Sequence, residues 1–287
     1  MNAKELTALL AAVSLFLLVF AFGLRASVHE ILRAIGNKSL IMRGVVAINV
    51  IPPLAAVVLC QLFSLEPAVE RGIIIMAVSP LAPLAPGKMT RGGATASEVT
   101  ACYAAWVGLA IIIVPATVAI LSHFSGASAA LPVVNVAKLV GETILLPLGI
   151  GVLIAEIAAP IVPVVAKAAS LIGMAGVLLL VALIVYHQRG AAAALAGDGT
   201  LLVIALVLCA ALAGGHLLGH PSAPTSHLLA MAAAIRHPGI ALLIARSNFN
   251  DPRISLAIIL FLVMSVVITG AYQSIAAKGF LAFSRGS

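Results

Sequence analysis

Lysine and arginine directly follow a run of prolines in one of the most apolar stretches of the sequence. The segment GIIIMAV (72–78) continues into SPLAPLAPGKMTRGG (79–93), which contains Lys88 and Arg91. A proline inside a helix removes one hydrogen bond and clashes with the preceding turn, at a cost of about 3 kcal/mol or more. Four helix-breaking residues therefore disfavour a continuous helix: Pro80, Pro83, Pro86 and Gly87. Taken alone, the segment is equally compatible with a helix that simply ends here, followed by solvated charges.

A second apolar segment contains charge and helix breakers at its centre. Arg236, His237, Pro238 and Gly239 lie in the middle of HLLAMAAAIRHPGIALLIARSNF (227–249). Apolar chain continues on both sides, so a helix that merely ends at a surface does not explain this break. An arginine at the centre of a bilayer costs about 2.5–3.5 kcal/mol even on insertion scales, and such residues face a polar interior or a partner. Fixed positive charge beside free backbone groups at half-helix ends favours the binding of an anion.

The composition indicates a protein that spans a membrane several times. Of its 287 residues, 63% are hydrophobic and 9% are charged, and the mean hydropathy is +1.22. Soluble proteins carry about 25% charged residues, so this chain cannot cover a water-facing surface. The net charge of +7 lacks the basic stripe interleaved with aromatics that is typical of nucleic-acid binding. We therefore predict an all-α polytopic membrane protein whose partner is the lipid bilayer and not nucleic acid.

Nine apolar segments, joined by short connections, are candidates for membrane spans. They cover approximately 6–24, 40–63, 69–92, 95–121, 133–157, 161–186, 200–219, 226–247 and 254–275. The two breaks lie in the third and eighth segments, which run through the membrane in opposite directions. Broken helices in antiparallel, equivalent positions are typical of secondary transporters built from inverted repeats, with substrate and ions bound where the two helices cross.

Lysine and arginine in the short loops predict the orientation of the chain. The cations of the first loop and of the C-terminal tail are Arg25, Arg33, Lys38, Arg43, Lys278 and Arg285. Because positive loops face the cytoplasm, we expect the N-terminus outside and the C-terminus in the cytoplasm. The membrane that fits this interpretation is a bacterial inner membrane.

Motifs for catalysis and for metal binding are missing from the sequence. The two aspartates, Asp198 and Asp251, lie in separate loops, and neither HExxH nor GxSxG occurs. His216, His220 and His227 flank one loop, but no carboxylate or cysteine accompanies them, so we predict no metal site. An enzyme is therefore disfavoured, while a passive channel or a receptor remains open beside the transporter.

Several motifs follow one another in a defined order along nearly the whole chain. They are FAFGLRAS (20–27), GVVAINVIPPLAAVV (44–58), the first break, ETILLPLGIGVLI (142–154) and the second break. Their order and spacing resemble those of the bile acid:sodium symporter family, in its nine-helix form. The resemblance implies a panel domain of residues 1–36 and 133–190. It also implies a core domain of residues 37–132 and 191–277, with alternating access as one domain rocks against the other.

This sequence departs from that family at the positions of the sodium ligands. A glutamate of the family's second crossover falls at Ala232, and the following glutamine and asparagine fall at Arg236 and His237. Ser97 matches a family hydroxyl, and Asn49 stands beside the position of a family glutamine. Nearly every side-chain ligand for sodium is therefore replaced, although backbone oxygens remain.

A fixed guanidinium at Arg236 could replace the sodium ion, because its five donors can bind freed carbonyls and an anionic substrate. Lys88 and Arg91, on the opposite broken helix, could assist from the other side. We therefore expect a small organic anion as substrate, weak or absent sodium dependence, and no other cofactor. Two alternatives remain open: ordinary sodium symport through backbone ligands, and proton coupling through His237 or Lys88.

Overall fold

The computed structural model describes residues 3–124, 133–195 and 199–284. Among these residues the regular secondary structure is helical, apart from one isolated bridge. The helices are α1 Ala3–Gly23, α2 Val28–Gly36, α3 Lys38–Asn49, α4 Ile51–Phe63, α5 Pro67–Val78, α6 Ala85–Met89, α7 Ala96–Phe124, α8 Val133–Val140, α9 Leu146–Ile157, α10 Val162–Leu195, α11 Thr200–Gly219, α12 Ala223–Ala234, α13 Pro238–Asn248 and α14 Pro252–Ser284. Short 3-10 turns at Thr90–Gly92 and Ala159–Ile161 and a π turn at Gly141–Leu145 extend them. The all-α prediction is confirmed. Arg285 and the side chain of Lys278, both used above for the orientation, lie outside the described residues.

Six helical stretches are long and apolar enough to cross a membrane. They are Lys38–Phe63, Ala96–Ile120, Val136–Ile157, Ala159–Leu183, Thr200–Gly219 and Pro252–Ala276. A seventh candidate combines α1 with α2, which bend by 82° relative to each other. The broken segments fall outside this count because α5, α12 and α13 have only 12, 12 and 11 residues, short of the ~20 that span the hydrocarbon. A polytopic membrane protein is thus confirmed, while the number of nine spans stays a prediction.

Large apolar side chains are exposed on the outer surface of the helices. Ile112 of α7, Ile157 of α9 and Val164 of α10 are 73, 76 and 72% exposed. Extended apolar patches of this kind are avoided on soluble monomers. They are the expected surface of a protein that is solvated by lipid.

Close helix packing around α1 depends on glycines. A Cβ atom at Gly23 of α1 would collide with the backbone oxygen of Leu148, and one at Gly151 of α9 would lie 2.8 Å from the backbone nitrogen of Leu24. Gly176 of α10 leaves room in the same way for a side chain of α1. Small residues at helix interfaces allow such close approach in membranes. α1, α9 and α10 therefore form one packed group, and α11 packs against α4, α12 and α14 in another.

α2 has the properties of a helix that lies at the membrane surface. Its apolar side chains Val28, Leu32 and Ile35 are exposed, and no residue of α2 is buried. Glu30 accepts a hydrogen bond from the hydroxyl of Ser97 on α7, which fastens the polar side of the helix. An amphipathic helix that turns sharply away from a membrane span is expected to lie in the plane of the interface.

Ion pairs at the ends of the helices join the beginnings of α5 and α14. Nη2 of Arg253 lies 2.7 Å from Oδ2 of Asp251, and the same guanidinium pairs with Glu66. Hydrogen bonding from Arg253 holds the pKa of Asp251 below its ordinary value. Because α5 also packs along α14, the first half of the broken third segment is anchored at the end far from its break.

Candidate functional site

The two breaks predicted from the sequence meet and pair through their backbones. The His237 amide donates to the Pro80 carbonyl at 2.8 Å, and the Ala82 amide donates to the Ile235 carbonyl at 3.4 Å. These bonds form an isolated antiparallel bridge between Leu81 and Arg236. Backbone freed by helix breaking is tolerated at membrane depth only where protein or a polar cavity surrounds it, and here each broken segment supplies partners to the other.

Side chains cap the half-helix ends at this crossing. At the end of α5 the hydroxyl of Ser79 donates to the Met76 carbonyl at 2.7 Å. At the end of α12 the Ala234 carbonyl accepts a 3.2 Å bond from the hydroxyl of Ser265 on α14. α13 begins with a proline at its first turn, where a missing amide hydrogen carries no penalty. The sequence therefore stops and restarts each helix with residues that suit these positions.

Arg236 is the most buried charged side chain of the crossing, with only 2% of its surface exposed. Its Nη2 atom donates a 2.6 Å hydrogen bond to the carbonyl oxygen of Ala77, one residue before the end of α5. Since Arg236 itself follows α12, one side chain connects the two broken segments. A cation at a helix C-terminus is also favoured by the helix dipole. Its Nε and Nη1 atoms are buried and have no hydrogen-bond partner among the described residues.

His237 adds another buried donor to the crossing. Its Nδ1 atom accepts a 3.4 Å hydrogen bond from the Ile240 amide and so caps the N-terminus of α13. A neutral ring that accepts at Nδ1 carries its proton on Nε2. This Nε2 atom is buried without a partner in the described part of the chain. The unpaired side-chain atoms of the crossing are therefore N–H donors, whereas a hard cation such as sodium requires oxygen acceptors.

The cations of the first broken segment are bonded to α14 instead of to the crossing. Nζ of Lys88 donates to the hydroxyl of Thr269 at 2.9 Å. The backbone carbonyl of Lys88 accepts a hydrogen bond from the Gln273 side chain at 3.0 Å and lies 3.1 Å from Nε2 of His227. The exposed Arg91 donates to the Gln273 side chain at 3.4 Å. Lys88 and Arg91 thus connect α6 and the turn after it to the neighbouring helix.

Asn49 and Ser97, assigned by resemblance, have bonding partners of their own elsewhere. Asn49 is buried at the end of α3 and donates to the Val45 carbonyl one turn earlier, at 3.4 Å. Ser97 is exposed and donates to Glu30 of α2, as described above. Of the predicted side chains, the structure brings only Arg236 and His237 to the backbone pairing at the crossing, and neither Asn49 nor Ser97 hydrogen-bonds to it.

A cavity of about 290 Å³ opens beside the first break. Its wall includes three residues predicted for the break, which are Pro83, Pro86 and Gly87. Arg25, Thr100 of α7 and Ser170 of α10 also line it. The Arg25 guanidinium lies at this cavity and donates to the hydroxyl of Ser170 at 3.3 Å. Sequence reasoning treated Arg25 only as a loop charge. Its one signal was its position at the end of the FAFGLRAS motif, where the first span ends.

One face of α1 connects this cavity to the crossing. Leu15 packs on Gly239, where an added Cβ atom would collide with its side chain. Leu18 and Phe22, three and seven residues further along the same face, line the cavity. Three residues of helix span about 4.5 Å, so the cavity begins about one helical turn from the second break. Pro83 completes the connection, since it follows the bridge residue Leu81 by two positions.

Comparison with known protein families gives a match to the N-terminal two thirds of the chain. The model of the sodium bile acid symporter family matches residues 12–194, which is well over half of the chain. The matched range includes the first break and the residues that line the cavity, whereas the second break with Arg236 lies beyond it. A search of curated proteins gave no match.

Proposed function

Because the chain belongs to the sodium bile acid symporter family, we propose that it is a secondary active transporter that moves a small organic anion across the membrane by alternating access. Arg236 supports this proposal most directly. It is buried, it connects both broken segments through the Ala77 carbonyl and the bridge to Leu81, and it leaves N–H donors free to bind. A transporter of this kind is not an enzyme.

The charge of Arg236 replaces the coupling ion in this proposal. A bound sodium ion supplies one positive charge and attracts oxygen atoms of both half-helices. The guanidinium supplies the same charge permanently, and it already holds one carbonyl at the end of α5. We therefore propose transport without sodium dependence.

The cavity supports an anion of modest size as the substrate. Its volume of about 290 Å³ lies just below the roughly 300–1,000 Å³ that is usual for drug-sized ligands. Arg25 provides a second positive charge at this cavity. Guanidinium groups bind carboxylates with charge-assisted hydrogen bonds. A compact carboxylic acid, such as a keto acid, is therefore favoured over a sterol acid.

The packing of the helices supports the proposed movement. α1 and α10 both contribute residues to the wall of the cavity, and so does the first break. We propose that residues 1–36 and 133–190 form a panel, residues 37–132 and 191–277 form a core, and the two rock against each other around the cavity. Each rocking step exposes the cavity to one side of the membrane.

Sodium is expected to have no specific effect on the purified protein. Thermal stability is measured during titration with NaCl and, at the same ionic strength, with choline chloride. A ligand that binds only the folded state raises the unfolding temperature, so the two curves should coincide if Arg236 occupies the place of the ion. A rise specific to sodium would contradict the replacement and would favour sodium symport through backbone oxygens.

Replacing Arg25 with glutamine is expected to weaken substrate binding. Loss of a hydrogen bond to a charged group costs about 1.5–3 kcal/mol, so the KM for uptake should rise roughly tenfold or more while kcat changes less. Uptake of radiolabelled pyruvate, pantothenate and taurocholate into proteoliposomes provides the measurement. Arg33→Gln is the matched control, because Arg33 lies on α2 and hydrogen-bonds to His29 instead. Equal KM values for Arg25→Gln and the wild type would remove Arg25 from the substrate site.

A further inference from the structure

The charge of Arg236 has no carboxylate partner in the part of the chain that the structure describes. Arg236 does not take part in the ion pairs found there, such as those of Lys138 and Arg253, and it bonds to one neutral carbonyl. Helix dipoles do not replace the missing acid. The C-terminal ends of α5 and α12 carry only partial negative charge, and the N-terminal end of α13 adds partial positive charge at the same crossing. The formal positive charge of Arg236 therefore has no ionised partner among the described residues.

A buried charge without a counter-charge is strongly unfavourable. The groups that await a partner here are the Nε and Nη1 atoms of Arg236 and the Nε2 atom of His237. All of them donate hydrogen bonds when the histidine is neutral. The ligand that satisfies both the charge and the donors is an anion that only accepts hydrogen bonds, such as a carboxylate or a halide.

A fixed cation differs from a bound one in the return step of a transport cycle. A bound sodium ion leaves together with the substrate, so the empty site returns without its charge. A guanidinium cannot leave, and its charge remains when the substrate has been released. If the carrier reoriented empty, Arg236 would pass through the closed, dry conformation without any counter-charge.

We propose that this protein is an obligatory anion exchanger, in which an anion occupies the crossing during both the outward and the inward movement. This inference rests on the proposed transport of organic anions and adds its stoichiometry, one anion in for one anion out. The bound anion then neutralises the charge of Arg236 during each movement. Net uptake into a compartment that contains no acceptable anion is blocked at the return step.

Exchange is tested by changing the anion inside proteoliposomes that contain the full chain. The outside holds radiolabelled pyruvate, pantothenate or taurocholate, and the lumen holds either the same unlabelled acid or potassium HEPES. Equal potassium on both sides with valinomycin removes the membrane potential. Uptake is expected to be on the order of 100-fold faster with the acid in the lumen, given the penalty for an unpaired buried charge. Equal initial rates with both lumens would overturn exchange and leave transport itself intact.

A measurement without substrate separates this inference from the proposed function. The thermal stability of the purified wild type is compared in potassium formate, potassium chloride and potassium HEPES at equal ionic strength. Formate or chloride should raise the unfolding temperature of the wild type and of Arg33→Met, but not that of Arg236→Met.

If none of the three labelled acids is taken up with either lumen, the proposed function fails for these substrates. A wild type that shows no stabilisation by either anion would then overturn the inference as well.

Discussion

Replacement of Arg236 by methionine is expected to abolish organic anion transport while the protein remains folded. The substitution keeps most of the side-chain length but removes the charge and the hydrogen bond to the Ala77 carbonyl. Loss of one partner of a buried, charged hydrogen bond costs about 2–5 kcal/mol, which corresponds to a decrease in transport of at least ~30-fold. The initial rate of substrate uptake or exchange in proteoliposomes provides the measurement.

Thermal stability should not decrease in parallel. Removing the charge relieves a buried guanidinium of its desolvation penalty, and replacement of buried ionic groups by apolar ones is often neutral or stabilising. The unpaired Ala77 carbonyl opposes this gain. We therefore expect an unfolding temperature close to that of the wild type, which distinguishes a loss of chemistry from a loss of structure.

Two further variants define what Arg236 contributes. Arg236→Lys keeps the charge but loses the planar arrangement of five donors, so it should retain part of the activity. Arg246→Met removes an exposed cation from the other end of α13, away from the crossing, and should leave transport within roughly twofold of the wild type. If Arg236→Met transported as fast as Arg246→Met, the central role of Arg236 would be wrong.

Both breaks could be predicted from the sequence because helix breaking is a local property. Proline lacks an amide hydrogen and clashes with the preceding turn wherever it stands. The structure accordingly ends α5 at Val78 and begins α13 at Pro238, within the two predicted segments. The burial of Arg236 was predictable for a related reason, since apolar chain on both sides leaves the side chain no route to water.

The partners of the other predicted residues depend on how distant helices face each other. Lys88 was expected to assist Arg236, but it donates to Thr269, which lies 181 positions away in the chain. Ser97 was placed by resemblance at the ion site, yet it donates to Glu30 across the surface of α2 and α7. Spacing along one helix fixes which side chains share a face. It does not fix the element that this face meets.

Arg25 shows the same limit from the opposite direction. In the sequence it belongs to a group of loop cations that indicates orientation. Its position at the cavity arises because α1 ends beside α10, which brings Arg25 within 3.3 Å of Ser170 across 145 positions of chain. No local pattern encodes this contact. The glycines that permit it are visible in the sequence, but their opposing partners are not.

A single methyl group at Gly151 is expected to disturb the packing of α1 strongly. In Gly151→Ala the new Cβ atom would lie 2.5 Å from the Phe20 carbonyl oxygen, 2.8 Å from the Leu24 nitrogen and 2.9 Å from the Gly23 carbonyl carbon. All three are backbone atoms of α1 or of the residue that follows it, and backbone cannot move aside as a flexible side chain can. Overpacking typically costs about 1–3 kcal/mol, and the unfolding temperature should fall by roughly 2–10 °C.

Gly149 provides a matched control on the same helix, because an added Cβ atom there meets no other atom within 4 Å. Gly149→Ala replaces glycine, which has a low helix propensity, by alanine, which has the highest. The unfolding temperature of this variant should therefore stay equal to that of the wild type or rise slightly. Thermal unfolding of both variants in the same detergent provides the comparison. Since Leu18 and Phe22 of α1 also line the cavity, Gly151→Ala should reduce substrate affinity together with stability. Equal stability of the two alanine variants would mean that α1 and α9 are not in close contact, and the position of α1 beside the cavity would then be wrong.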